Sequence, residues 1–280
     1  MKARWWLLGA VAALGLRTCT CRSEPPPPER IRFATFNIED FPKDDRQVTG
    51  AFDEIARLGA SFVGLQEIVE IDRFERGMRE HLGPSWDVVF EPSPRNPYHH
   101  LGVLFDRRVW SLVSSRTHDG TRLEGGRHRA TLEVRLRSLA TGRIVRALVV
   151  HLKAGGDGHP IRARQYAALA AIVRDAQASG ERVVLLGDFN ATGDEDRADL
   201  ASLASASGLT WATERLACTS LWERDDGCFR ARLDHILTTG APAFVDVAGA
   251  CATDGCDTQD RCPLYRDVVS DHCPVAVSLP

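Results

Sequence analysis

The sequence predicts a mixed α/β or α+β domain in which two packed β-sheets are flanked by helices. Strand-like segments alternate with amphipathic helical segments along the whole chain after residue 30, which is typical of proteins that mix both elements. The strands fall into two groups, and the run at residues 182–187 is continuously apolar, as in a strand buried on both faces. The pattern leaves the order of the layers open.

The first third of the chain predicts two strands and two helices. Alternating apolar and polar residues predict a strand at 31–38, and apolar residues on one helical face predict a helix at 47–58. A short apolar run at 61–66 predicts a strand that ends in Glu67. A second helix is expected at 72–82, where a Gly-Pro pair stops it.

The rest of the chain predicts further strands and one long helix. Strands are expected at residues 86–90, 101–105, 109–113, 130–137, 143–152, 182–187, 233–237 and 274–278. A proline in the first turn and a closing glycine predict a helix from Pro160 to about Ser179. Longer loops are expected at residues 83–101, 114–129 and 191–234.

The composition indicates a folded chain without an excess of basic residues. Its 280 residues are 44% hydrophobic and 26% charged, which excludes a disordered or coiled-coil protein. Residues 1–22 hold four basic and no acidic side chains, so 31 basic residues face 38 acidic ones in the remainder. A domain with this net negative charge lacks the excess of basic residues that is typical of non-specific DNA-binding proteins. Bound divalent cations offset such repulsion locally, so a nuclease is not excluded.

The N-terminal residues predict an export signal rather than part of the fold. Lys2 and Arg4 precede an apolar run of about a dozen residues, which is too short to span a bilayer comfortably. Residues 1–22 are therefore assigned to a signal, and residues 23–29 to a stiff proline-rich spacer. The folded domain is expected to comprise residues 30–280.

The residues around Cys19 are similar to the cleavage site of a bacterial lipoprotein. Arg17 departs from the small residues that such a site prefers, so lipidation of Cys19 stays open. Export predicts a secreted, periplasmic or envelope-anchored protein, and a membrane contact is expected only through a lipid on Cys19.

The other six cysteines crowd into the last quarter of the chain: Cys218, Cys228, Cys251, Cys256, Cys262 and Cys273. Their even number and the export signal favour three disulfide bonds, with the connectivity open. A zinc site is the weaker interpretation, because no C-x-x-C pair occurs. A Cys273 nucleophile activated by His272 is disfavoured, since adjacent positions on a strand point to opposite faces.

Acids, amides and imidazoles cluster at the ends of five predicted strands, and a sixth segment with Asp234 and His235 lies within a strand. Six segments contain them: Asn37-Ile38-Glu39, Gln66-Glu67, His151-Leu152-Lys153, Asp188-Phe189-Asn190, Asp234-His235 and Ser270-Asp271-His272. Carboxylates are the ligands that Mg²⁺, Mn²⁺ and Ca²⁺ prefer, and several of them together repel one another unless a cation lies between them. Imidazoles and amides add groups that move protons or donate hydrogen bonds to anionic oxygens. Together these groups are suited to the hydrolysis of a phosphate ester.

Two motifs of other enzyme classes are absent from the sequence. No G-x-x-x-x-G-K-[ST] loop occurs, which disfavours nucleotide-driven phosphoryl transfer. No G-x-S-x-G elbow occurs, which disfavours an ordinary serine esterase. The acidic and imidazole segments therefore favour hydrolysis that depends on a metal.

The order of the six segments resembles that of the endonuclease/exonuclease/phosphatase superfamily. This superfamily includes pancreatic deoxyribonuclease, exonuclease III-type repair enzymes, inositol polyphosphate 5-phosphatases and neutral sphingomyelinases. The G-D-F-N run at 187–190 and the S-D-H run at 270–272 are the most characteristic, and the resemblance extends over residues 31–279. It implies a four-layer α/β/β/α sandwich of two packed mixed sheets flanked by helices. It also implies cleavage of phosphodiester or phosphomonoester bonds with a divalent metal, usually Mg²⁺.

The resemblance implies roles for the acids and for one histidine. Glu67 is similar to the principal metal ligand, with Asn37 and Asp271 as its neighbours. His272 resembles the general base that activates water, and Asp234 the carboxylate that orients it. A carboxylate bonded to an imidazole fixes its tautomer and stabilises the cation formed when it takes a proton.

Other positions resemble groups that hold the substrate. Asp188 and Asn190 are similar to residues that position the nucleophile and the scissile phosphate. His151 is similar to a residue that contacts the phosphate or assists the leaving oxygen. Arg129 resembles the arginine near the substrate phosphate, but alanine replaces the proline that usually follows it, so Arg127 stays an alternative.

The sequence thus predicts an exported metal-dependent phosphodiesterase, specifically an endonuclease that hydrolyses nucleic acid by direct attack of water. The alternatives are a phospholipid phosphodiesterase of the sphingomyelinase type and an inactive binding module on the same fold. Nucleic acid is the expected partner, phospholipid the alternative partner, and a monomer the expected state. No role is assigned to Tyr98, His99 or His100, and His235 is expected to point away from the site.

Overall fold

The computed structural model describes residues 31–91 and 98–279. The predicted export signal at 1–22, the spacer at 23–29 and the lipidation of Cys19 lie outside the described residues and stay predictions. Among the described residues, no helix is both long enough and apolar enough to cross a membrane.

Regular structure extends over most of the described chain. The strands are β1 (Arg32–Phe41), β2 (Phe62–Ile68), β3 (Trp86–Phe90), β4 (His100–Asp106), β5 (Trp110–His118), β6 (Thr131–Ser138), β7 (Ile144–His151), β8 (Arg182–Asp188), β9 (Thr210–Trp211), β10 (Ser220–Arg224), β11 (Gly227–Ala231), β12 (Asp234–Thr238), β13 (Phe244–Val247) and β14 (Val275–Ser278). The helices are α1 (Asp45–Leu58), α2 (Ile71–His81), α3 (Leu123–Gly126), α4 (His159–Gln177), α5 (Asp194–Ser207), α6 (Ala250–Thr253) and α7 (Leu264–Val268).

Twelve of these strands form two mixed sheets of six strands each. The first sheet has the order β13-β14-β1-β2-β4-β3 and the second the order β5-β6-β7-β8-β12-β9. Each sheet contains one parallel pair, β1 with β2 in the first and β7 with β8 in the second. The remaining two strands, β10 and β11, form a separate hairpin.

The two sheets pack face to face, and helices cover their outer faces. Between the sheets lies an apolar cluster that contains Phe33 and Leu186. Phe52 on α1 belongs to a second cluster on the outer face of the first sheet, and Leu169 on α4 and Leu200 on α5 belong to a third on the outer face of the second sheet. The predicted four-layer α/β/β/α sandwich is therefore confirmed.

Two segments that the sequence predicts as loops contain regular structure. Helix α5 and strands β9 to β11 lie within 191–234, and β5 continues to His118 instead of ending at residue 113. Helix α5 begins with three acidic residues and continues largely with Ala and Ser, so it lacks the apolar stripe by which a helix is recognised. The middle of β5 is exposed and polar, so it lacks the alternation of a half-buried strand.

Three disulfide bonds hold the last quarter of the chain together. They join Cys218 to Cys256, Cys228 to Cys262 and Cys251 to Cys273. The predicted number of bonds is confirmed. The zinc alternative and the Cys273 nucleophile are excluded, because each of these sulfurs is bonded to another. The bonds tie the β10–β11 hairpin and the start of the last strand to the segment after β13, and such closures restrict the unfolded chain.

Gly187 allows β8 to approach β7 closely. Its φ is +142°, and a Cβ at this position would lie 2.0 Å from the carbonyl oxygen of Val150. Only glycine combines this backbone conformation with this contact. Because Gly187 directly precedes Asp188, its conformation also sets the direction of that carboxylate.

Replacing Gly187 with alanine is expected to destabilise the fold by about 3 kcal/mol or more, because the strained φ and the backbone overlap add. Urea or thermal unfolding of the purified variant measures the loss. Gly180→Ala is the matched control: its φ is +71° and no atom lies within 4 Å of the added Cβ, so only a left-handed penalty of about 1–2 kcal/mol is expected. Equal losses in the two variants would contradict the role of the β7 contact.

Candidate active site

The ends of five strands meet at one edge of the sandwich. Strands β1 and β2 bring Asn37 and Glu67 to this edge, where their side chains touch. Strands β7 and β8 place His151 beside Asp188 in register, and β12 places Asp234 opposite Asp188. The S-D-H segment at 270–272 lies in the loop before β14. The structure therefore gathers side chains that are far apart in the sequence.

Four residues at this edge have a left-handed backbone. Glu39, Asp40, Glu67 and Asn190 have φ values between +26° and +61°, and among the described residues they are the non-glycine residues with positive φ. Such conformations cost of order 1–3 kcal/mol each and persist where the surrounding structure enforces them, most often at functional sites. Backbone strain and polar chemistry thus coincide at the same edge.

Asn37 bridges two carboxylates. Its amide nitrogen donates to Glu67 Oε1 at 3.1 Å and to Asp188 Oδ2 at 3.2 Å. Its amide oxygen accepts a hydrogen bond from the backbone N–H of Glu39 at 3.1 Å. The oxygen that would bind a cation therefore faces the backbone here, and the role of Asn37 as a metal ligand stays a prediction.

Asp188 is buried at the centre of the cluster. Asn190 donates to it from the backbone at 2.8 Å and from the side chain at 3.2 Å. Burial is the main reason that the pKa of Asp188 rises to about 7; two nearby carboxylates raise it further, and the charge of His272 opposes them. A positive charge nearby would therefore stabilise the ionised form of Asp188.

His272 and Asp234 form the hydrogen-bonded pair that the family resemblance implies. His272 Nδ1 lies 2.8 Å from Asp234 Oδ2. The other ring nitrogen, Nε2, lies 3.9 Å from Asp188 Oδ2 and 3.8 Å from Asp271 Oδ1, so it faces the cluster. Burial lowers the pKa of His272, but attraction to the three aspartates outweighs it and holds the pKa well above its usual value.

Two hydroxyl groups to which the sequence assigned no role hold this pair in place. Thr219 Oγ1 donates to Asp234 Oδ2 at 2.8 Å and accepts from the backbone N–H of Asp234 at 2.9 Å. Ser270 Oγ donates to the carbonyl oxygen of Asn37 at 2.8 Å and accepts from the backbone N–H of His272 at 3.0 Å. The orientation of the imidazole is thus fixed from both sides.

His151 lies on the other side of the carboxylates. Its Nε2 is 3.7 Å from Glu67 Oε1 and 3.5 Å from Asp188 Oδ2, and its Nδ1 has no hydrogen-bond partner within the described part of the chain. Burial, together with the positive charges of Arg129 and His272, lowers the pKa of His151 well below its usual value. The site therefore contains one imidazole that favours the charged form and one that favours the neutral form.

Asp271 lies beside Glu39, to which the sequence assigned no role. The backbone N–H of Asp271 donates to Glu39 Oε2 at 2.9 Å, and Glu39 also pairs with Lys43. Burial is the main reason that the pKa of Asp271 rises to about 6. The charges of Glu39 and Glu67 also raise it, and those of His272 and Lys43 oppose the rise. Asp271 is therefore, after Asp188, the second carboxylate of the site whose ionised form a nearby positive charge would stabilise.

The structure brings Arg129, and not Arg127, into the site. Arg127 is exposed, whereas Arg129 is partly buried and its Nη2 lies 2.6 Å from His99 Nδ1. His99 Nε2 lies in turn 2.5 Å from Asp40 Oδ1. Burial lowers the pKa of Arg129, and the charges of the site carboxylates oppose that shift. The sequence assigned a role to neither His99 nor Asp40.

His235 lies on the other face of β12, away from the site. Its Nδ1 accepts a hydrogen bond from Trp211 Nε1 at 3.2 Å, and its ring packs edge-on against the same indole. Burial lowers the pKa of His235 to about 3, so the side chain is a neutral part of the core.

The set of donor atoms fits a divalent cation. Among the described residues, two groups each offer ligand atoms that lie within 4.8 Å of one another: Asp40 with Glu67 and His99, and Asp188 with Asp234 and His272. Carboxylate oxygens dominate both groups, which is the chemistry of Mg²⁺, Mn²⁺ and Ca²⁺. Burial is the main cause of the raised pKa of Asp188, and the nearby carboxylates of Asp234 and Glu67 add to it, so a bound cation would stabilise the charged form of Asp188.

The fold and the site define a phosphoester hydrolase, and the comparison with known families agrees. A model of the Endonuclease/Exonuclease/phosphatase family matches residues 34–272, so the chain belongs to this family. Members of the family are hydrolases that act on phosphoester bonds and use divalent metals. The sequence matches none of the curated proteins with which it was compared.

Solved structures with the same fold come from several organisms. The human Nocturnin catalytic domain with bound sulfate has a TM-score of 0.69 and 19% identity, over 91% of this chain and 95% of that chain. The D. rerio TDP2 complex with a single-strand DNA product has a TM-score of 0.68 and 15% identity, over 89% and 98%. An endonuclease/exonuclease/phosphatase protein from Bacteroides vulgatus has a TM-score of 0.63 and 18% identity, over 89% and 98%. At these identities the likeness shows the shared fold.

Proposed function

We propose that the protein is an exported, divalent-metal-dependent endonuclease that hydrolyses nucleic-acid phosphodiester bonds by direct attack of water. The observation that supports this proposal best is the His272–Asp234 pair, whose free imidazole nitrogen faces Asp188 across 3.9 Å. A proton acceptor thus lies beside a cluster of carboxylates that fits a cation. Hydrolysis of a phosphodiester by water needs both of these elements.

His272 is the proposed general base. Asp234 accepts the hydrogen on Nδ1. Despite its burial, the surrounding aspartates hold the pKa of His272 high, and a bound divalent cation would lower it, which would leave the lone pair of Nε2 free to take a proton from water. Asp188 lies on the same side of the ring and accepts the second hydrogen of that water. As the imidazole becomes positive, the buried carboxylate of Asp234 stabilises it.

Glu67 and Asp271 are the residues that would hold the cation, and Asn37 fixes Glu67 in place through its amide nitrogen. A bound divalent cation supplies positive charge that stabilises the negative charge developing on the phosphate, and it lowers the pKa of neighbouring groups. The raised pKa values of Asp188 and Asp271, both caused mainly by burial, fit this charge. We propose Mg²⁺ as the cation, with Mn²⁺ and Ca²⁺ as alternatives.

Arg129, Asn190 and His151 are the proposed substrate contacts. The guanidinium of Arg129 suits a non-bridging phosphate oxygen, because an arginine presents paired N–H donors to such oxygens. A neutral His151 offers an N–H to the phosphate or to the leaving oxygen without adding a full charge. Asn190 is the third proposed contact, and its side chain also donates to Asp188 and so keeps that carboxylate in place.

Nucleic acid is the proposed substrate class. One structure of the same fold, that of D. rerio TDP2, is complexed with a single-strand DNA product. Since the chain without its first 22 residues has more acidic than basic side chains, contacts to the cation and to Arg129 would have to supply most of the phosphate binding.

Export is part of the proposal for two reasons. The sequence begins with a basic and then apolar segment typical of export signals. The six cysteines of the domain are all paired, and disulfide bonds persist outside the reducing cytoplasm. Whether Cys19 is lipidated is tested by acyl labelling of the wild type and of Cys19→Ser.

A panel of substrates tests the function. Duplex DNA, single-stranded DNA, RNA, sphingomyelin and inositol phosphates are incubated with the purified protein and Mg²⁺, with and without EDTA. We expect hydrolysis of at least one nucleic acid, its loss in EDTA, and its recovery when Mg²⁺ is restored in excess. Hydrolysis that persists in EDTA would contradict the metal requirement. Hydrolysis of sphingomyelin alone would replace nucleic acid by phospholipid as the substrate, and no hydrolysis of any substrate would contradict the proposal.

A further inference from the structure

His99 connects two charged groups at the edge of the site. It lies just before β4, with its Nε2 3.9 Å from Glu67 Oε2. Its Nδ1 is 2.6 Å from Arg129 Nη2, and its Nε2 is 2.5 Å from Asp40 Oδ1. Its ring lies nearly parallel to that of His151, with centroids 6.5 Å apart and an interplanar angle of 10°. His99 thus places Arg129 close to a histidine of the cluster.

The two contacts determine where the proton of a neutral His99 lies. A guanidinium only donates hydrogen bonds, so Nδ1 must accept from Arg129 and has no proton. The ring hydrogen is then on Nε2, where it donates to the carboxylate of Asp40. The hydrogen bonds therefore run in one direction, from Arg129 through His99 to Asp40.

This direction distinguishes two roles for His99. Asp40, Glu67 and His99 together offer three ligand atoms of the kind that hold a cation. To bind a cation through Nε2, the imidazole would have to move its proton to Nδ1, where it would face an N–H of Arg129 across 2.6 Å. Two donors would then oppose each other. The geometry therefore favours a hydrogen-bonding role for His99 over a role as ligand.

Arg129 needs a partner of this kind. Its Nε has no hydrogen-bond partner among residues 31–91 and 98–279, and its charge is drawn toward Glu67 and Asp188. A carboxylate partner would hold the guanidinium but would also cancel its charge. A neutral imidazole acceptor holds one nitrogen of the guanidinium and leaves both the charge and the remaining N–H groups for an anion.

We propose that His99 is a positioning residue that holds the guanidinium of Arg129 ready for a phosphate oxygen of the substrate, while Asp40 fixes the His99 tautomer. This inference rests on the proposed function, because it assigns Arg129 to the scissile or a neighbouring phosphate. It adds His99, a residue to which the sequence assigned no role, to the determinants of phosphate binding.

A double-mutant cycle tests the inference. We compare His99→Ala, Arg129→Ala and the double variant with the wild type, and measure kcat and KM on the best substrate of the panel. His99→Ala is expected to raise KM about 10-fold or more with a smaller change in kcat, in the range found for supporting partners of a site. Because His99 acts through Arg129, the double variant is expected to be no worse than Arg129→Ala alone. Additive losses would overturn the proposal.

Two conservative variants separate the contacts of His99. Asparagine places an acceptor oxygen near the position of Nδ1, so His99→Asn is expected to recover most of the affinity. Glutamine places an amide near the position of Nε2, so His99→Gln is expected to recover little. The opposite order, or a Mg²⁺ requirement that rises in His99→Ala as much as KM does, would overturn the positioning role in favour of a role as ligand.

His159→Ala is the matched control. His159 is exposed to a similar degree, with 25% of its side chain accessible against 27% for His99, and it also contacts two carboxylates. It lies at the start of α4, so no change in KM is expected. Equal melting temperatures of all variants exclude loss of fold as the cause of any difference.

Binding of inorganic phosphate, measured by titration calorimetry, separates the inference from the proposed function. If the wild type hydrolyses no substrate of the panel, the proposed function fails. The inference then stands if His99→Ala weakens phosphate binding and the double variant is no weaker than Arg129→Ala. It fails if His99→Ala binds phosphate as tightly as the wild type does.

Discussion

Replacing His272 with alanine is expected to lower kcat about 10³–10⁴-fold, the cost of losing an oriented base in enzymes of this kind. The variant loses the nitrogen that faces Asp188 at 3.9 Å, and no other imidazole is able to take its place, since His151 is held on the far side of the carboxylates. KM is expected to change little, because the proposed phosphate contacts remain. Steady-state kinetics on the best nucleic-acid substrate, with saturating Mg²⁺, measure the loss.

Asp234→Asn is the companion variant for this prediction. It keeps the size of the side chain, but a neutral amide no longer stabilises a positive imidazole, and an amide nitrogen turned toward Nδ1 would favour the wrong tautomer. We expect a loss of about 10²–10⁴-fold in kcat. Because the two residues act as a unit, the double variant is expected to be no slower than His272→Ala. Near-normal turnover of His272→Ala on every phosphoester tested would contradict the assignment of the base.

The core of the site was predictable because its residues lie next to strands. Glu67, Asp188 and His151 each end a buried strand, and apolar runs of this kind are visible in the sequence. Strands that run in parallel in one sheet deliver their ends to one edge, as His151 and Asp188 show in register. The motifs therefore predicted that these side chains converge, and their roles in the site stay predictions.

The supporting residues were not predictable, because each depends on how a loop folds. Thr219 precedes β10 and contacts Asp234, which lies 15 positions further along the chain. His99 precedes β4 in a polar run that shows no periodicity. Glu39 and Asp40 follow a recognised motif, but their left-handed backbone turns them toward the site, and a sequence pattern does not reveal such a turn.

The same distinction applies to the fold. Apolar alternation predicted the sheets and the helices with strong apolar faces. Helix α5 was missed because its first turn is acidic and much of the rest is alanine and serine, so it shows no apolar stripe. The number of disulfide bonds followed from parity and from the export signal, but their pairing depends on where the β10–β11 hairpin lies. The spacing of the cysteines in the sequence does not determine where that hairpin packs, so it does not determine the pairing.

Replacing Glu67 with glutamine is expected to lower kcat/KM about 10²-fold or more and to raise the Mg²⁺ concentration needed for half-maximal activity. The substitution keeps the shape of the side chain and an oxygen that accepts from Asn37, but its amide nitrogen is unable to accept the hydrogen bond from the backbone N–H of Asp40. The change in Mg²⁺ requirement, rather than the loss of kcat, is therefore the measure of the ligand role. The substitution removes a negative charge from the proposed cation site, and electrostatic attraction to a divalent ion falls accordingly.

Glu181→Gln is the matched control, since Glu181 is also ion-paired and has 12% of its side chain exposed against 17% for Glu67, but it pairs with Arg135 and Arg146 on the second sheet. Activity is measured over a range of Mg²⁺ concentrations for the wild type and both variants. A Glu67→Gln variant with an unchanged Mg²⁺ requirement would contradict the ligand role of Glu67, even if its kcat were low, because a lost ligand must appear first in the affinity for the cation.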